Sequence, residues 1–156
     1  MRPLIDCAET IRIDRPAEEA FVALADIDRL FAALQRKSPI TVERLSGGPA
    51  TAVGDRWRVS GDLKLGRRSG VVEITKLMEP TSIAFRTEGS GYLAKTEIAI
   101  SPEGTTACRL SARNRIFADS LKARLAAPFI RLYRKRIERG FRKLLKRAKR
   151  RLEARS

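Results

Sequence analysis

The chain has 156 residues, of which 43% are hydrophobic and 33% charged, and its 33 Lys and Arg against 18 Asp and Glu give a net charge of +15. That size suits one domain able to bury most of its apolar surface. It contains no histidine, which excludes His-dependent triads, the common zinc ligand sets and the one side chain that titrates near neutrality unaided.

From the N-terminus there is no apolar signal region, and no stretch approaches the ~18 apolar residues of a membrane span, so the chain reads as cytoplasmic. The first predicted strand covers 8–14, where Ile11 and Ile13 alternate with Arg12 and Asp14. Pro16 then stands where a helix accepts it, with Glu18 and Glu19 at the positive end of the dipole. Ala17, Ala20, Phe21 and Leu24 share one face of that helix. Asp26 caps a second short helix with the stripe Ile27, Leu30, Phe31 and Leu34, which ends at Lys37-Ser38-Pro39.

Beyond Ile40 the period changes to two. Strands are predicted at 41–45, 55–65, 70–77, 82–88, 93–101 and 106–117, with turns at Ser46-Gly47-Gly48-Pro49, Gly66, Glu79-Pro80, Gly89-Ser90-Gly91 and Pro102-Glu103-Gly104. Short turns between consecutive strands favour an antiparallel meander. Trp57, Val59, Gly61 and Leu63, then Val72 and Ile74, Ile83 and Phe85, Ile98 and Ile100, and Cys108, Leu110, Ala112 and Ile116 fall on one face. Such a sheet needs a cover.

Residues 119–155 supply it. Capped by Asp119 or Ser120, one long helix is predicted through Leu121, Leu125, Phe129, Leu132, Tyr133, Ile137, Phe141, Leu144, Leu145, Ala148 and Leu152, bent near Pro128. This segment also holds the charge: 119–156 has 15 Lys and Arg against Asp119, Glu138 and Glu153, net +12, which leaves only +3 for the rest. A straight helix of this length measures about 55 Å, against about 35 Å for the body. The stretch 143–156 is therefore predicted to protrude as a basic end of an otherwise single domain.

The order of elements resembles the START-like, or SRPBCC, helix-grip superfamily. Three stretches carry the likeness: Ile11-Arg12-Ile13-Asp14-Arg15-Pro16-Ala17-Glu18-Glu19-Ala20-Phe21, Val53-Gly54-Asp55-Arg56-Trp57, and Val72-Glu73-Ile74-Thr75-Lys76-Leu77-Met78-Glu79-Pro80 with Ile83-Ala84-Phe85-Arg86. The resemblance implies an α+β fold, a seven-stranded antiparallel curved sheet with two short helices after the first strand and a long C-terminal helix over an apolar cavity. It also implies a ligand among lipids, quinones and polyketide-like molecules, or a cyclase or dehydratase reaction. The superfamily's oxygenase branch needs a histidine-containing iron site, and this chain has no histidine to offer.

On this reading the ligand-binding candidates are Trp57, Val59, Gly61, Leu63, Val72, Ile74, Phe85, Thr87, Thr96, Ile98, Leu110, Ala112 and Asn114 from the sheet, closed by Leu125, Phe129 and Tyr133. Thr87, Thr96 and Asn114 are polar groups on the apolar parity, and Gly61 and Ala112 leave room there. Catalytic residues, a metal and a cofactor are not indicated. Cys7 and Cys108 read as buried thiols, and Cys108 has no base to activate it. Lys143, Lys146, Arg147, Lys149, Arg150 and Arg151, interleaved with leucines, suit an anionic membrane surface at the inner leaflet. Nucleic acid is the less favoured partner, because no aromatic for stacking lies beyond Phe141. Three functions stay open: a carrier of a hydrophobic small molecule, a cyclase- or dehydratase-type enzyme, and an RNA- or ribosome-associated factor.

Overall fold

Alternation makes the first strand longer than its core needs suggest. β1 (Ile5–Ile13) points Ile5, Cys7, Ile11 and Ile13 to one side, and it starts upstream of the expected 8 because Ile5 and Cys7 continue that parity opposite Ile116 and Asn114. The computed structural model describes residues 2–46, 51–63 and 66–154, without the side chains of 62, 63, 66 and 67. The turn at Gly47-Gly48-Pro49 and the side chain of Leu63 thus lie outside the described residues.

Two helices follow directly, α1 (Ala17–Ala25) and α2 (Ile27–Lys37). Pro16 precedes the first, Glu18 and Glu19 occupy its first turn, and its buried face is Ala17, Ala20, Phe21 and Leu24. The remaining strands are β2 (Ile40–Arg44), β3 (Arg56–Leu63), β4 (Gly66–Met78), β5 (Ser82–Gly89), β6 (Tyr92–Glu103) and β7 (Ala107–Ala118). They pair antiparallel in the order β1-β7-β6-β5-β4-β3-β2, a meander whose last strand returns beside the first. Between Ile74 and Lys76 the register slips by a residue. This bulge moves the inward parity from Ile74 to Leu77, which then packs with Ile83.

The helices cover one face and divide the core in two. Beneath α1 and the end of the chain, Ile13, Phe21, Leu24, Ile83, Ile100, Leu110, Leu145 and Leu152 form the larger cluster. Beneath α2, Ile27, Trp57 and Ile74 pack with Leu30, Phe31 and Val42, and Phe85 touches both groups.

The C-terminal segment differs from the single helix expected. It forms α3 (Leu121–Leu125), α4 (Ala127–Leu132) and α5 (Arg134–Ala154), interrupted at Ala126 and Tyr133. Pro128 lacks an N–H, and around it and Tyr133 the ladder tightens: Phe129 donates to the Ala126 carbonyl and Tyr133 to that of Ile130, each at 3.0 Å. The bend arises near the proline as expected; the second break does not follow from any proline or glycine.

These breaks overturn the predicted overhang. At 21 residues α5 spans only about 31 Å, and its end is fastened to the body. Leu145 and Leu152 are buried. The Asp14 N–H donates to Glu153 Oε2 at 2.8 Å, and Arg15 donates through Nε to the Leu152 carbonyl at 3.1 Å and through Nη2 to that of Glu153 at 2.7 Å. Arg15 thus caps the helix by taking up two terminal carbonyls, and its charge meets the negative end of the dipole. Residues 143–154 do not protrude.

Candidate functional site

Between α1, α2, the sheet and α5 lies a hollow of about 480 Å³, within the ~300–1,000 Å³ of small-molecule sites. Its wall is built from Ala23 and Leu24 of α1, Leu30, Ala33 and Leu34 of α2, Thr96, Ile98, Leu110 and Ala112 of the sheet, and Phe141, Leu144, Leu145, Ala148 and Leu152 of α5. The period-two pattern aims the sheet residues at it, and three- and four-residue spacing aims those of the helices. Arg29 and Lys37 from α2 and Arg147 and Arg151 from α5 complete the lining. No carboxylate, cysteine or tyrosine lines it among the described residues.

Thr96, Ile98, Leu110 and Ala112, four of the candidates from the sequence, come together on this wall. Others serve the packed interior. Trp57 and Ile74 are fully buried beneath α2, with Phe85 against them. The space above Gly61 is taken: a Cβ there would lie 3.2 Å from Ile40 Cγ2 and 3.4 Å from the Pro39 carbonyl. Val59 stands opposite Val42 and Gly70, and Val72 opposite Trp57 and Thr87, away from the hollow. Thr96 Oγ1 donates to Asn114 Oδ1 at 3.1 Å, so Asn114 anchors the one hydroxyl that reaches the wall among the described residues.

Leu125, Phe129 and Tyr133 do not close the cavity. They are exposed at 72%, 67% and 50%, and Leu121 and Leu132 at 72% and 79%. The faces turned inward are Ala123 and Ala127. The cause is a close approach: Gly91, at φ 84°, lies so near Ser120 and Ala123 that a Cβ on it would meet Ser120 Oγ at 2.4 Å. Only small side chains fit between α3 and the β5–β6 turn. Closure falls instead to Phe141, Leu144, Leu145, Ala148 and Leu152, and to Leu30 and Leu34 of α2, an apolar stripe that its spacing alone does not assign to the ligand.

The cations expected at a membrane surface divide. Lys149 turns to the body, donating to the Arg12 carbonyl and pairing with Glu153 Oε2 at 3.0 Å. All but Lys149 are exposed, Arg147 and Arg151 at the edge of the hollow and Lys143, Lys146 and Arg150 away from it. Of the leucines among and beside them, Leu145 and Leu152 are engaged in the core and Leu144 is exposed.

A second hollow, of about 400 Å³, lies on the outer sheet face among Ala8, Thr10, Ala84, Ala99 and Ser111. Most of its charged edge is already compensated, Glu9 by Arg142 at 3.0 Å, Glu97 by Arg115 at 2.9 Å and Arg113 by Asp6 at 2.6 Å. Cys7 and Cys108 are free and buried. They face Asn114 and Ile13 at opposite ends of the β1–β7 ladder, about 20 Å apart, and burial pushes both thiols up. Neither has the lowered pKa of a nucleophile.

A meandering sheet wrapped beneath helices, with an apolar hollow between them, defines a START-like helix-grip protein. The chain belongs to the polyketide cyclase / dehydrase and lipid transport family, whose model matches residues 5–153. Solved structures share the fold at low identity. A Thermus thermophilus protein superposes with a TM-score of 0.73 at 16% identity, covering 97% of this chain and 99% of that one. Truncated norcoclaurine synthase from Thalictrum flavum gives 0.73 at 9%, with coverage of 97% and 94%. A START superfamily protein from Mycobacterium smegmatis gives 0.56 at 15%, with 89% and 98%. No curated protein sequence matches the chain.

Proposed function

We propose that this protein binds a hydrophobic small molecule between α2, the sheet and α5, and exchanges it with an anionic membrane surface. The observation that carries the first half is the hollow itself, about 480 Å³ walled by aliphatic and aromatic side chains. Packed interiors leave few voids larger than a water molecule, so apolar space of this size favours an occupant. Thr96 and four cations are the polar groups on its wall among the described residues. They can orient a ligand but pair no acid with a base, which favours carriage over turnover.

The membrane half rests on α3 and α4. Leu121, Leu125, Phe129 and Leu132 project outward at three- and four-residue steps, flanked by Lys122, Arg124 and Arg131. Large apolar groups in solvent beside cations suit the boundary between headgroups and acyl chains. This face replaces the end of α5 as the docking surface. No helix among the described residues is long and apolar enough to cross a membrane.

Native mass spectrometry of the purified protein tests the carrier reading. A co-purifying lipid or quinone is expected in the wild type and its loss in Ala112→Phe, which fills the wall beneath α5. A wild type that takes up no fatty acid, quinone or hydrophobic dye overturns it. A new product formed from the captured molecule points to the cyclase- or dehydratase-type reading instead.

A further inference from the structure

The charged residues around the hollow are all of one sign. Arg29 and Lys37 reach it from α2, and Arg147 and Arg151 from α5. Two helices therefore face each other across it with two cations apiece, and no Asp or Glu joins them among the described lining residues.

Their lack of partners distinguishes them from the paired arginines of the outer sheet face, and exposed cations such as Lys143, Lys146 and Arg150 share it outside the hollow. On the outer sheet face several arginines are matched: Arg12 and Arg109 with Glu103, Arg58 with Glu43, Arg113 with Asp6 and Arg115 with Glu97. None of the four side chains at the hollow has an ion pair or hydrogen bond among the described residues. Neighbouring acids are engaged elsewhere. Asp28 accepts from Trp57 and Arg44, and Glu153 from Lys149 and the Asp14 N–H.

Position adds to composition. Arg147 and Arg151 stand one turn apart on α5, where like charges oppose helix formation. Arg29 and Lys37 stand two turns apart on α2, with Ala33 between them on the wall. Small Ala33 and Ala148 leave space between the cationic heads and above the apolar floor. An anion seated there relieves repulsion on both helices, and guanidinium groups match carboxylate and phosphate oxygens in pairs.

Resting on the carrier reading, we infer that the ligand is an amphiphile with an anionic end group, a carboxylate or phosphate monoester. Its hydrocarbon lies against Ile98, Leu110 and Leu145 and its anion is held by Arg29, Lys37, Arg147 and Arg151. A neutral sterol or quinone leaves these cations unanswered.

The test compares dodecanoic acid, dodecyl phosphate and dodecanol by displacement of a hydrophobic dye. At least one anion is expected to bind the wild type about tenfold or more tighter than the alcohol, a preference that weakens as salt rises. If the acid alone is preferred the end group is a carboxylate, and if the phosphate alone, a phosphate ester. Arg147→Gln with Arg151→Gln is expected to abolish the preference and keep dodecanol binding. Lys143→Gln with Lys146→Gln removes equal charge from α5 outside the hollow and is expected to retain it. Circular dichroism checks that both variants stay folded.

Equal binding of acid, phosphate and alcohol overturns the anionic end group and leaves the carrier reading standing. Equal loss of preference in both double variants assigns it to net charge and overturns the site. Binding of none of the three overturns the carrier reading as well.

Discussion

Arg44 does more than its half-buried position suggests. Its guanidinium lies 5.4 Å from the Trp57 ring centre, bonds Asp28 Oδ2 at 2.6 Å and pairs with Asp55 Oδ2 at 3.1 Å, while Trp57 Nε1 donates to Asp28 Oδ1 at 2.8 Å. One residue thus ties α2, β2 and the entry to β3. Asp55 is the buried charged side chain among the described residues, so removing its cation strands a carboxylate in the interior. Arg44→Ala is expected to cost about 2–4 kcal/mol in urea unfolding. Arg58→Ala breaks the exposed pair with Glu43 and is expected to cost under about 1 kcal/mol. Equal costs would show that the cluster contributes nothing beyond a surface pair. The sequence did not point to this cluster, because its four members come from three separate segments.

Among the elements, the end of α5 is held by polar contacts that respond to pH. The Asp14 N–H, then Lys149, hold the Glu153 carboxyl below its usual value of 4.5. A carboxyl lowered in the folded state stabilises it above that usual value, and the contribution is lost as pH falls through the lowered one. Protection of the amides in the last turn of α5, measured against their intrinsic exchange rates at each pH, is expected to fall on acidification below about pH 4, and Glu153→Gln is expected to flatten that response. Arg15→Ala exposes two terminal carbonyls and is expected to fray the same turn at all pH values. The α3–α4 face behaves oppositely. Leu125→Ser and Phe129→Ser replace exposed side chains, so stability is expected to shift by less than about 0.5 kcal/mol while binding to anionic vesicles is lost. A large drop in stability would mean that this face packs against something in solution, a second copy of the chain being one occupant that sedimentation would reveal.

For the whole molecule, a net charge of +15 acts at long range. Each cation close to an anionic surface contributes on the order of 1 kcal/mol, an attraction that fades beyond the screening length. Wild type is expected to sediment with vesicles containing anionic lipid at low salt, to be released as salt rises, and to ignore neutral vesicles. Binding to RNA with a steep log–log salt dependence, without vesicle binding, would assign the charge to phosphate recognition. Lys143, Lys146 and Arg150 strengthen the field from an exposed flank of α5, where Leu145 and Leu152 are buried and Leu144 alone of the three leucines is exposed.

The sequence by itself determined the succession of strands, the two short helices and the inward parity of the sheet, because alternation, prolines and caps act between neighbours in the chain. Thr96, Ile98, Leu110 and Ala112 were legible for that reason. The tertiary structure decided which face of the C-terminal segment turns inward. Between 121 and 133 the chain offers large apolar residues on one side and Ala123 and Ala127 on the other, and both patterns satisfy helical spacing. The narrow gap over Gly91 holds Ala123, and Ala127 one turn on is buried on the same side. That choice sends the leucines and Phe129 to solvent and leaves Phe141 to Leu152 to cover the cavity. The breaks at Ala126 and Tyr133 and the anchoring of Glu153 and Arg15 then set how far the basic helix reaches. These contacts join residues more than a hundred positions apart, where periodicity carries no information.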